Sequence, residues 1–172
     1  MLLLIALVGN AKALEIEKSP NDQREYRHVV LENGLKVTLI HDAHTETAAA
    51  AMDVAVGSGS DPADRPGLAH FLEHMLFLGT EKHPQPGDYA QFIKQHGGGN
   101  NAYTSFSNTN YFFNIEPEML EPALDRFAQF FIAPLFAEQL VQREKSAVHS
   151  EFSGGLKNDS RRFYSARKRA FN

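Results

Sequence analysis

His70-Phe71-Leu72-Glu73-His74, set in the apolar stretch from Leu68 to Leu78, decides how this chain is read. On a helix each position advances about 100°. With Leu68 at the origin, His70 falls near ~200°, His74 near ~240° and Glu73 near ~140°, so the three share one face. Leu68, Phe71, Leu72, Met75 and Leu76 gather within roughly 80° of the origin, on the opposite side. The pattern predicts a helix that packs one side into a core and presents two imidazoles and a carboxylate on the other. A metal site with an attached general base needs those residue types in that spacing. Phe77 falls near ~180°, where it either lines the same pocket or fills core.

Outward from this helix the chain alternates short strands and helices. Gly57 to Gly67 is a loop of Gly, Ser, Asp and Pro that leads in, with Pro66 suited to the first helical turn, and Gly79 ends the helix. Upstream, His28 to Glu32 and Leu35 to His41 are strand-like and flank Asn33-Gly34, a two-residue hairpin signal. Ala48 to Val56 suits a third strand. Downstream, Asp88 to His96 suits a short helix ended by the flexible turn Gly97-Gly98-Gly99. Ala102 to Phe106 and Asn110 to Ile115 suit a hairpin. Pro117 to Ile132 is amphipathic through Leu120, Leu124, Phe127 and Phe131, with Pro122 implying a kink or a helix that starts there. A further helix runs from about Ala137 to at least Glu151. The expected fold class is α+β: a mostly antiparallel sheet with helices packed on one face.

The chain has 172 residues, with a net charge of -4, which gives no reason to expect nucleic acid as a partner. It contains no cysteine, so a metal site must use its histidines and carboxylates. The glycines at 97–99 lack the Gly-Lys-Ser/Thr ending of a phosphate loop, which argues against nucleotide binding. Leu2 to Val8 is an apolar run, too short to span a bilayer, and Ala11-Lys12-Ala13 follows it as a small-x-small cleavage pattern. Residues 1–13 therefore read as an export signal, clipped because the usual basic residues are missing, and the expected location is the bacterial periplasm. If the run is instead a buried strand, the expected location is the cytoplasm.

Two histidines and a base leave a zinc site one protein ligand short. Glu144 and Glu151 lie seven residues apart and stack within about 20° on one helical face. Leu140, Ala147 and Val148 share that face, whereas Arg143, Lys145, Ser146, His149 and Ser150 take the other. A carboxylate turned inward is costly unless it is paired or bound to metal. The inward pair asks for a buried cation, with an ion pair from Glu144 to a basic residue as the weaker alternative. His28, His41, His44, His83 and His96 lack ligand spacing and read as structural, and His149 as solvated.

Together these residues resemble the pitrilysin/insulysin family of zinc metallopeptidases, the inverzincins. Gly67 to Thr80 is similar to the family's active-site stretch, and Asn101-Ala102-Tyr103-Thr104 to its Asn-Ala-x-Thr segment. Leu124 to Phe131 and Arg143 to Glu151 resemble its following helix and its third-ligand segment. The resemblance runs from about Ser19 to the last residue. It implies one Zn2+ per chain held by His70, His74 and Glu151, Glu73 as general base, and Glu144 orienting a ligand. It also implies that peptides or small unfolded polypeptides bind as an added strand along Asn101-Ala102, with Asn101 holding a peptide carbonyl near the metal. Family enzymes are much longer, so residues 20–172 are expected to be a first domain truncated at its C-terminal end, requiring a homologous C-terminal half. The implied reaction is zinc-dependent peptide-bond hydrolysis. Its alternatives are a non-catalytic or split-enzyme module of the same fold, or a peptidase dedicated to processing precursors.

Overall fold

A computed structural model describes residues 16–170, and the segment read as an export signal lies outside them. The described residues form two compact units, one up to Glu46 and one from Thr47 onward.

The first unit is an antiparallel hairpin of β1 (Glu25–Val30) and β2 (Lys36–His41), in register from Glu25 opposite His41 to Val30 opposite Lys36. The Leu31 N–H donates to the Leu35 carbonyl at 2.9 Å, and the Gly34 N–H donates to the Leu31 carbonyl at 2.8 Å. The loop is therefore Glu32-Asn33-Gly34 rather than the two-residue turn expected from Asn33-Gly34. Gly34 takes φ +84°, the left-handed position that closes a three-residue hairpin loop and favours glycine.

The second unit opens with β3 (Ala48–Val54), followed by α1 (Leu68–Leu76), α2 (Asp88–Gln95), β4 (Gly99–Thr104) and β5 (Thr109–Ile115). Three helices follow: α3 (Leu120–Ile132), α4 (Glu138–Gly155) and α5 (Asp159–Ala170). The strands form one antiparallel sheet in the order β3-β5-β4. Its central strand alternates cleanly: Thr109, Tyr111, Phe113 and Ile115 are buried, and Phe112 and Asn114 are exposed. This is the expected α+β architecture, a sheet with one face under helices.

Without tryptophan or cysteine, the core is built from Phe and Tyr. Tyr89 and Ile93 of α2, Ala123, Phe127 and Phe130 of α3, and Leu76 of α1 close over Tyr111, Phe113 and Ile115. The rings meet edge to face, with centroids 4.8 Å apart for Tyr89–Phe130 and 5.3 Å for Phe113–Phe127, the spacing their quadrupoles favour. Phe77 joins this cluster, its ring 5.1 Å from that of Phe130. Of the two readings open for Phe77, the structure shows a partly buried ring packed against the core cluster.

Some expectations shift by a residue or a face. In α3 the buried stripe runs through Ala123, Phe127 and Phe130, whereas Leu124 is exposed, since the small Ala123 permits the closest approach. Pro122 sits in the first turn of α3, where its missing N–H would have no intrahelical partner, so no kink is needed. Pro66 precedes α1 instead of lying in its first turn. Gly99 belongs to β4, not to a flexible turn, and Gly98 lies where a Cβ would come within 2.0 Å of the Asn114 carbonyl oxygen. No helix among the described residues is long and apolar enough to cross a membrane.

Gly98→Ala is expected to cost about 3 kcal/mol through this backbone clash. By contrast, Gly154→Ala, in α4 with no atom within 4 Å of an added Cβ, should gain about 0.5–1 kcal/mol from helix propensity. Urea unfolding of the two variants beside the parent checks both signs.

Candidate metal centre

The start of α1 lacks a conventional cap. Its N-cap is Gly67, at φ +93°, which has no side chain to receive the first free N–H groups. Asp61 does this from six residues upstream: Oδ2 accepts from the Gly67 N–H at 2.7 Å and Oδ1 from the Ala69 N–H at 2.9 Å. The loop carrying Asp61 is itself tied to the turn between β4 and β5. Ser58 N–H donates to the Ser105 carbonyl and Gly59 N–H to the Phe106 carbonyl, both at 2.8 Å. The sheet thus fixes where α1 begins, and α1 fixes His70, Glu73 and His74.

Burial in α1 departs from the helical-wheel reading. Leu68 and Leu72, expected in the core, are 43% and 42% exposed, while Glu73 is buried at 7%. The buried apolar residues, Met75 and Leu76, lie in the last turn, so burial is graded along the helix as well as around it. Glu73 is turned towards the sheet, where Oε2 accepts a hydrogen bond from the Thr104 hydroxyl of β4. The buried Tyr111 feels this carboxylate: burial first, and then the Glu73 charge, push its phenol up to about 12.

α4 supplies the remaining groups. Glu144 Oε1 accepts from Nδ1 of His74 at 2.9 Å, with the Glu144 side chain only 14% exposed. Arg143 reaches Glu144 only at 4.0 Å, so His74 and not the arginine is its principal partner. A carboxylate oxygen can only accept, so this bond places a His74 hydrogen on Nδ1 and directs Nε2 at His70. That Nε2 lies 3.1 Å from Nε2 of His70, and Oε2 of Glu151 lies 3.7 Å from each. The Glu151 side chain is 53% exposed, so the expectation that both glutamates turn inward holds for Glu144 alone.

His70, His74 and Glu151 are the single set of three ligand-type side chains with convergent atoms among the described residues. Tetrahedral zinc with bonds of about 2.0–2.1 Å separates its ligand atoms by about 3.3–3.4 Å. The three observed separations bracket that value, and nitrogen and carboxylate donors suit the ion, so the residues fit it. The other histidines do not converge in this way. His83 lies 3.5 Å from Asp88 and 3.8 Å from Asp125 through different ring nitrogens, and His149 is exposed beside Ser153.

Asn101 and Ala102 lie on β4, which is an edge of the sheet. Ser105 and Asn108 form a hydrogen-bonded pair at the hairpin end, Ser105 N–H to Asn108 carbonyl at 2.8 Å. By antiparallel alternation the backbone of Ala102 then faces away from β5. Its N–H donates to Oδ1 of Asn101 at 2.9 Å, so the Asn101 amide covers the edge. Thr104 and Asp61 drew no role from the sequence. An uncapped helix start was the available signal for Asp61, and Thr104 stands two residues from Ala102 on the same, helix-covered face.

A segment of antiparallel sheet and helices that brings His-x-x-Glu-His to a distal glutamate is the scaffold of a metallopeptidase class. The family model for insulinase (peptidase family M16) matches residues 36–170, and the chain belongs to this family. It is 51% identical over 164 residues to the insulin-degrading enzyme of Homo sapiens, covering 95% of this chain and 16% of that protein. It is 49% identical over 155 residues to a peroxisomal insulin-degrading enzyme-like protein of Arabidopsis thaliana, covering 90% of this chain and 16% of the relative. The crystal structure of pitrilysin superposes with a TM-score of 0.78 at 38% identity, over 81% of this chain and 15% of pitrilysin. The chain thus spans about one sixth of the length of these proteins. These relatives, one of them named as peroxisomal, do not support the periplasmic location expected from the N-terminus.

Asp61→Ala should destabilise the protein by about 1 kcal/mol through loss of the α1 cap, with Asp61→Asn losing less. Thermal unfolding of the pair checks the direction and the order.

Proposed function

We propose that this chain carries the catalytic segment of a zinc metalloendopeptidase that hydrolyses peptides or small unfolded polypeptides. The observation that carries the reading is the convergence of His70 Nε2, His74 Nε2 and Glu151 Oε2, with the His74 tautomer set by Glu144. On this reading His70, His74 and Glu151 hold one zinc ion, and Glu144 keeps the His74 ring oriented. Zinc bound there supplies Lewis acidity, which makes a water a competent nucleophile near neutral pH and polarises the scissile carbonyl. Glu73 takes a proton from the attacking water and delivers it to the leaving amine. The free edge of β4 receives the substrate main chain as an added strand, whose carbonyl takes the Ala102 N–H over from Asn101. Asn101 is then released to hold the peptide.

One observation favours a second reading. The chain spans only 16% of the human relative's length, so a module that works with a homologous second half has support. Peptide hydrolysis by the isolated chain would reject it.

Elemental analysis of the purified protein should find near one zinc per chain, lost in both His70→Ala and Glu151→Ala. Folded parent protein without zinc, at saturating metal, would overturn the metal reading. Glu144→Gln should weaken zinc binding about 10- to 100-fold. Glu73→Gln should retain zinc and lose hydrolysis by about 10²- to 10⁴-fold. Undiminished turnover in that variant would remove Glu73 from the mechanism.

A further inference from the structure

Thr104 of β4 and Thr109 of β5 stand directly opposite each other, on the face of the sheet that the helices cover. The Thr109 hydroxyl donates to the Val56 carbonyl at 2.8 Å, a group that can only accept. Its one hydrogen is thereby committed, so Thr109 donates nothing to Thr104 Oγ1, 3.3 Å away. Thr104 gives its own hydrogen to Glu73 Oε2. Glu73 is buried, so the cost of removing its carboxylate from water is offset at this contact.

We propose that Thr104 is a positioning residue for Glu73, its one hydrogen given to the carboxylate. Oε2 is anchored to the sheet, and Oε1 is left for the proton that moves in the reaction. The inference rests on the base role proposed for Glu73. Strand formation alone does not account for Thr104, since valine has the same shape and suits a strand equally. Oε2 keeps its lone pairs when Oε1 carries a proton, so the contact persists through the reaction.

The test is a thermal double-mutant cycle in the full chain, with Thr104→Val made in the parent and in a Glu73→Ala background. In the parent, Thr104→Val should lower Tm by roughly 5 °C, and most of that loss should vanish without Glu73. An equal loss in both backgrounds would make Thr104 a packing residue and overturn the proposal. Bound zinc should be unchanged in Thr104→Val, and its loss would overturn the proposal by assigning the threonine to the metal ligands. In peptide hydrolysis, Thr104→Val should lower kcat at least about 10-fold at constant KM, and Thr104→Ser should restore it. Failure of Thr104→Ser to do better than Thr104→Val would also count against the proposal. A parent no faster than Glu73→Gln would sink the peptidase reading, while the thermal cycle still decides the role of Thr104.

Discussion

The hydrogen bond between His74 Nδ1 and Glu144 Oε1 is the constraint on which the site depends. It joins α1 to α4 across 70 residues of sequence and settles the tautomer of His74 in the same contact. With Nδ1 protonated, Nε2 of His74 faces Nε2 of His70 and the Glu151 carboxylate, three ligand-type atoms converging on one point. Such an arrangement is unfavourable in itself and becomes favourable around a cation. Glu144 therefore does more than fill space between two helices. Its low exposure in a helix with no fully buried residue shows that the contact is directed at the histidine.

A second constraint works on α1 from its two ends. The last turn is held by apolar burial of Met75 and Leu76, and Phe77 continues into the aromatic cluster. The first turn has little burial, since Leu68 and Leu72 are exposed, and it is held by the two hydrogen bonds to Asp61. Neither end depends on the convergent His70, His74 and Glu151 side chains. The helix can therefore present His70 and His74 in a fixed orientation without needing ligand binding to order it, as a preorganised site requires.

How much of this the sequence disclosed follows the range of each interaction. The spacing of His70 and His74, and that of Glu144 and Glu151, are local periodicities, and the structure brings these four residues together. The alternation in β5 was legible for the same reason. Which side of α1 meets the sheet was not. The wheel put Leu68 and Leu72 inside and Glu73 with the histidines, because it weighs hydrophobicity and does not see the Thr104 hydroxyl waiting on another strand. Asp61 was missed because a cap six residues upstream depends on the path of the loop, which in turn depends on the carbonyls of Ser105 and Phe106. The Gly98 segment was read as a flexible turn because three glycines look permissive. Its reason is steric, in the approach of the Asn114 carbonyl from β5.

On the proposed reading, one strand sets the geometry of both substrate and base. Ala102 offers its N–H at the outer edge of β4, and Thr104, two residues on, offers its hydroxyl to Glu73. Residues two apart on a strand are separated by about 6.6–6.8 Å, a distance fixed by covalent geometry. A peptide aligned by backbone hydrogen bonds along β4 is thereby aligned with the Glu73 carboxylate whatever its side chains, because the same strand holds both. This arrangement does not require a pocket for each substrate residue, and it suits an enzyme acting on varied sequences better than one selecting a single side chain. Selection of substrate would then fall to whatever limits access to the β4 edge. The Asn101 amide that covers the Ala102 N–H is the first group an incoming chain must displace.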